Sequence, residues 1–176
     1  MEKPSSWLVI CYNAPSDPSK LKVRLWRELK RIGAHYPQMS VCIVPDNKEN
    51  RKSLNGIQRG IAKDLRLVML QSKGVSEKDQ QQLLQIFRTD RDKQYDEILE
   101  ECQEFIDEIK LNIDNKKTFQ EEVEEMEEVL DGLKRWLEKV KSIDWVDKPE
   151  ASLRVENLLI KCQEAMDHFA ELSQPN

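Results

Sequence analysis

The chain has 176 residues, 39% hydrophobic and 35% charged, with five glycines, and this size fits one large domain or two small ones. So few glycines argue against glycine-rich phosphate loops, collagen-like repeats and turn-dense β architectures, and favour helices. The formal net charge of −5 conceals a division: residues 1–74 carry 14 Lys+Arg against 6 Asp+Glu, or +8, and residues 75–176 carry 14 against 27, or −13.

Trp7 to Tyr12 is continuously apolar or aromatic and ends at Asn13-Ala14-Pro15, which predicts a buried strand entering a loop. At six residues the run is too short for a signal peptide or a membrane span. Ser19 to Ile32 sets Leu21, Leu25, Leu29 and Ile32 on one arc of a helix, and Gly33 follows where a helix end favours a left-handed residue. Residues 34–38 and 40–44 read as two short strands around a tight turn, with Pro37 placing the first at a sheet edge. Asn50 to Lys63 repeats helical spacing through Leu54, Ile57 and Ile61, and Leu67 to Leu70 is a last apolar strand.

The order βαββαβ predicts a ferredoxin-like domain over 1–74, an antiparallel sheet with both helices on one face. Strands one, three and four are apolar at nearly every position, so both faces of the sheet are expected to be buried, the second by the rest of the chain or by a partner subunit. After Gly74 the period changes. Ser76 with Asp79 is a helix start signal, and Tyr95, Ile98, Cys102, Phe105 and Ile109 form a seam. Thr118 with Glu121 starts a second helix, in which Phe119, Val123, Met126, Leu130, Leu133, Leu137 and Val140 alternate at 4-3 spacing. A third begins near Asp147 to Glu150, with Val155, Leu158, Cys162, Ala165, Phe169 and Leu172 inside. The expected whole is an α+β protein: a basic ferredoxin-like domain, 1–74, followed by an acidic antiparallel three-helix bundle, 75–176.

Conventional enzyme chemistry has little footing. The six glutamates between Glu121 and Glu128 lack the Glu-x-x-His partner of a di-iron bundle, because His168 is preceded at that spacing by Ala165, so they read as a solvated face. His35 and His168 lie in no triad or zinc spacing, and GxSxG, Walker A and GxGxxG patterns are missing. No catalytic, metal-ligating or cofactor-binding set is expected. Cysteines 11, 42, 102 and 162 include no CxxC pair and read as reduced thiols of a cytoplasmic protein. Cys11 and Cys42 fall on neighbouring strands, where two thiols could approach one another, but their apolar flanks favour packing over reactivity. The four tryptophans read as packing anchors, with Trp26 off the apolar arc of its helix.

The basic residues are ordered. Lys20, Arg24, Arg27 and Arg31 cluster opposite the leucine arc of the first helix, and Lys52, Arg59 and Lys63 opposite the apolar arc of the second. With both helices on one sheet face, the strips share a surface able to contact nucleic-acid phosphates or to hold a small oxyanion through forked arginine hydrogen bonds. The bland alternative is a basic solvent face, or one that docks the acidic bundle of the same chain.

The segments WLVICYNAPSDPSKLKVRLWRELKRIGA, SVCIVPD, FRTDRDKQYDEILEECQEFIDEI and TFQEEVEEMEEVLDGLKRWLEKVKSIDW, above all Arg24-Leu25-Trp26-Arg27, Arg91 with Tyr95, and the Glu-rich helix leading to Leu133 and Trp136, resemble the amino-terminal domain of the ChrB chromate-resistance proteins. The resemblance implies a chromate-responsive regulator, with DNA and chromate or another oxyanion as partners. Such proteins commonly carry a carboxy-terminal domain; a chain limited to the amino-terminal one is expected either to have lost the sensing half or to partner a separate protein that supplies it, and Ile143-Asp144 stands where the family pattern has Arg-Asp. More loosely, the first half is similar to the module shared by PaaX-type repressors and the small CRISPR adaptation nucleases. Asn13 replaces the metal-binding aspartate of the nucleases, which disfavours a metal-dependent nuclease. A homodimer is expected, and the competing readings are a protein-interaction module working through the acidic bundle and, more weakly, a chromate-handling enzyme using Cys11 or Cys42.

Overall fold

The structure, a computed structural model, describes residues 4–13, 19–61, 66–117, 119–146 and 149–173. In chain order the elements are β1 (Trp7–Asn13), α1 (Ser19–Arg31), β2 (His35–Gln38), β3 (Val41–Pro45), α2 (Lys48–Ile61), β4 (Arg66–Ser72), α3 (Glu77–Asp114), α4 (Gln120–Ser142) and α5 (Pro149–Leu172). Two compact units emerge: Met1–Asp90 with Ile143–Asp147, and Arg91–Ser142 with Lys148–Asn176. The change of composition at Gly74 marks the end of the sheet, whereas the units divide within α3.

In the first unit the sheet runs β2-β3-β1-β4 with every neighbouring pair antiparallel. The register Leu8↔Val44 and Gln71, Ile10↔Cys42 and Met69, Tyr12↔Leu67 sets these residues on one face, since directly paired residues project to the same side. Most of them pack with Leu25, Leu29 and Ile32 of the α1 segment and Leu54 and Ile57 of α2 into one core. Burying each such aliphatic side chain is worth roughly 1.5–3 kcal/mol, so the leucine arcs hold both helices on this face.

Local signals fix the helix ends. Gly33, at φ 77°, closes α1: its N–H donates to the Lys30 carbonyl at 3.0 Å, and that of Ala34 to the Leu29 carbonyl at 3.1 Å. Helix α2 starts at Lys48, two residues before the expected position, because Asn47 Oδ1 accepts the Asn50 N–H at 2.8 Å and caps it. At the start of α3 the Ser76 N–H donates to Asp79 Oδ2 (3.0 Å) and the Asp79 N–H to Ser76 Oγ (3.2 Å), the reciprocal pair that the sequence signals. Pro37 does sit on an edge strand, and the β2–β3 register shifts between His35 and Gln38. The start signal at Thr118 lies outside the described residues.

The rest of the chain covers only part of the second sheet face, and the partner subunit that could bury the remainder is not tested by a single chain. On the second face Trp7 packs against Leu84 and Phe87 of α3 and against Val146, with Ile43 beside them, and Trp7 and Phe87 stack with centroids 4.9 Å apart. Further along the same face, Val68 and Leu70 of β4 remain 53% and 54% exposed. Within one chain, β4 is half open on this face.

The second unit holds the bundle. Tyr95, Ile98, Cys102, Phe105 and Ile109 of α3, and Val123 to Val140 of α4 at their 4-3 spacing, form its core with α5. Lys141 meets Glu156 at 2.6 Å and Lys134 meets Gln163 at 2.8 Å, a register that makes α4 and α5 antiparallel. Phe119, expected in the seam, is exposed because it precedes α4. Leu172, at the end of α5, is exposed as well, and Leu159 and Met166 fill the core beside the partly buried Leu158 and Ala165.

Candidate anion-binding groove

The arcs that bury the leucines turn the cations outward. Lys20, Arg24, Arg27 and Arg31 of α1 and Lys52 and Arg59 of α2 are all exposed, whereas Lys63 lies outside the described residues. Between α1 and α2 runs a groove of about 580 Å³, lined by Arg24 and Arg31 from one helix and Lys52 from the other. It thus brings together three of the expected residues, with Lys20, Arg27 and Arg59 outside the lining.

Two aspects of the groove were not foreseen. It also holds carboxylates: Glu28 and Glu49 line it, and Arg31 Nη2 donates to Glu28 Oε2 at 2.7 Å. That pair is exposed and worth at most about 1 kcal/mol, so the arginine can exchange Glu28 for another anion. Its floor has no side chains at Gly56 and Gly60. A methyl on Gly56 would meet nothing within 4 Å, and on Gly60 only Arg24 Nη2 at 3.9 Å. A helical glycine costs about 1 kcal/mol relative to alanine. Packing does not require either of them, and two glycines inside a helical pattern were the signal in the sequence that could have marked the groove.

A second polar assembly, also missed, ties the loop before α2 to the sheet. Asp46, with its side chain 5% exposed, receives Arg51 Nε at 2.5 Å and Nη2 at 2.8 Å, Gln71 Nε2 at 2.8 Å and Ser6 Oγ at 3.3 Å. The Arg51 hydrogen bonds hold the Asp46 carboxyl below the usual carboxylate range and outweigh the opposing effect of burial. Arg51 is therefore a structural cation, unlike those of the groove. Lys30 is engaged too, 5.4 Å over the Tyr36 ring.

The thiols do not form a site. Ile10 pairs with Cys42 and Cys11 with Val41, so the two cysteines, although on neighbouring strands, point to opposite faces of the sheet and do not approach one another. Burial pushes the Cys42 thiol up to about 12, which keeps it protonated at neutral pH. In the bundle Cys162 Sγ donates to the Cys102 carbonyl at 3.4 Å, and hydrogen bonding with Cys102 together with burial raises its pKa. His35 Nδ1 lies 2.7 Å from Asp90 Oδ2, which joins β2 to α3, and His168 is exposed. Glu121, Glu124, Glu125, Glu127 and Glu128 are exposed and Glu122 is half-buried, on the outside of α4 as the seam dictates.

The combination is that of a small α+β protein with a basic, glycine-floored groove between two surface helices and a separate acidic bundle. The chain belongs to the ChrB N-terminal family: the family model described as "Protein ChrB, N-terminal" matches residues 22–174. Membership points to involvement in chromate resistance. No curated protein and no solved structure matches the chain.

Proposed function

We propose that the chain is a non-enzymatic regulatory protein of chromate resistance that acts in the cytoplasm and contacts the phosphate backbone of DNA through the α1–α2 groove. The observation that carries this reading is the convergence of Arg24, Arg31 and Lys52 from two helices on one open, solvent-facing groove. Exposed guanidinium and ammonium groups on an open surface suit a polyanion, which gains from each counterion released. The glycine floor lets a backbone come close. The same forked donors accept a free oxyanion such as chromate, so DNA binding and oxyanion binding would compete for one surface. The antiparallel order β2-β3-β1-β4, with both helices on one face, supports a ferredoxin-like reading of this unit.

The test is titration of the protein with duplex DNA from its own operon at two salt concentrations. Affinity is expected to fall with salt, and replacing Arg24, Arg31 and Lys52 together by alanine should reduce the slope by about 1 per cation removed. Each of these side chains is exposed, so the fold should survive. Binding that is absent, or equal in the triple variant, sinks the reading. A second reading, a protein-interaction module on the acidic bundle, draws on Val129, which is 46% exposed beside the exposed glutamates of α4. A partner protein that co-purifies with the triple variant as with the wild type would favour it.

A further inference from the structure

The end strand β4 is long for an edge and poorly defended. It spans seven residues, Arg66–Ser72, at the end of the sheet order, so no strand occupies its outer edge among the described residues. Proteins usually protect such edges with proline, inward-pointing charge or brevity, and the stretch Leu67 to Gln71 has none of these. Val68 and Leu70 are exposed by more than half on the open sheet face.

We propose that β4 pairs antiparallel with β4 of a second copy of this chain, about a two-fold axis at Met69. The strand is self-complementary in that register. Arg66 falls opposite Ser72, Leu67 opposite Gln71 and Val68 opposite Leu70 of the other copy, so no like charges meet and four half-exposed aliphatic side chains become cross-strand neighbours on one face. A shift by one residue would turn side chains to the wrong face. Arg51, beside the strand, is already neutralised by Asp46 and brings little repulsion to the axis. Strand pairing alone buries less than the roughly 1,200 Å² of stable interfaces, so association is expected on the order of 10 μM. The axis stands perpendicular to the joined sheet, which leaves both helix layers, and both α1–α2 grooves, on the same side. The pairing does not depend on what the grooves bind.

Sedimentation equilibrium of the whole chain tests it. The wild type should move from 20.7 kDa towards twice that mass as concentration rises through the micromolar range, and a protein still monomeric at about 200 μM, well above that estimated affinity, overturns the proposal. Val68→Lys with Leu70→Lys sets like charges across the axis and should abolish association. Val68→Lys with Leu70→Glu sets opposite charges there and should restore it. Association of the first variant as strong as that of the wild type, or a folded but monomeric second variant, overturns the proposal, with circular dichroism reporting the fold of each.

Discussion

At the scale of single residues, Asp46 is a nearly buried carboxylate satisfied by donors from three separate parts of the first unit. Hydrogen bonds to a charged group contribute about 1.5–3 kcal/mol each when made, and strand their partner when lost. Asp46→Asn keeps the shape and removes the charge, and is expected to cost about 1–2 kcal/mol at pH 7, measured as a lower urea midpoint. The pH dependence has a definite sign. The folded carboxyl titrates below its unfolded value of about 3.9, so the stabilisation is complete above that pH and disappears as pH falls through the lower folded value. Wild type and variant should therefore differ at pH 7 and converge in strong acid. A gap that does not narrow at all as pH falls below the unfolded value of about 3.9 would show that the charge is not its source.

At the scale of elements, α2 carries a trade between stability and access. Gly56 has open space around it and no left-handed backbone, so Gly56→Ala should stabilise the protein by about 0.5–1 kcal/mol. The new methyl would stand on the groove floor, and DNA affinity should fall as the urea midpoint rises. A variant without stability gain would mean that the helix already uses the glycine. The elements themselves were legible because burial is periodic: the leucine arcs of α1 and α2, the 4-3 seam of α4 and the Gly33 cap are local patterns that packing then enforces. What the sequence left open are relations across the chain. The opposed Cys11 and Cys42 depend on strand register. The Asp46–Arg51–Gln71 assembly joins a loop, a helix and a strand that only folding brings together. The strips were legible as wheels. Which of their cations face one groove, and that Glu28 and Glu49 share it, followed from how α1 and α2 lie against each other.

At the scale of the whole molecule, the chain weaves between its two compact units. It leaves the first within α3, returns at Ile143–Asp147, and leaves again into α5. A continuous 38-residue helix therefore belongs to both units, and a five-residue return segment places Val146, 1% exposed, against Trp7, Leu84 and Phe87. Helix formation is cooperative along its length, so melting the first unit should release the start of α3 and the return segment and carry the rest with it. Val146→Ala removes two buried methyls from that cluster and is expected to cost about 2 kcal/mol. If the weave couples the units, the loss appears equally in Trp7 fluorescence, which reports the sheet, and in far-ultraviolet circular dichroism, which reports chiefly the long helices. The fluorescence measurement needs Trp26, Trp136 and Trp145 replaced by phenylalanine. Coincident transitions are the mark of one cooperative system. A fluorescence midpoint that shifts while the helical signal stays in place would instead make α3 a tether between two independent folding units, with stability divided inside that helix and not at the charge division at Gly74.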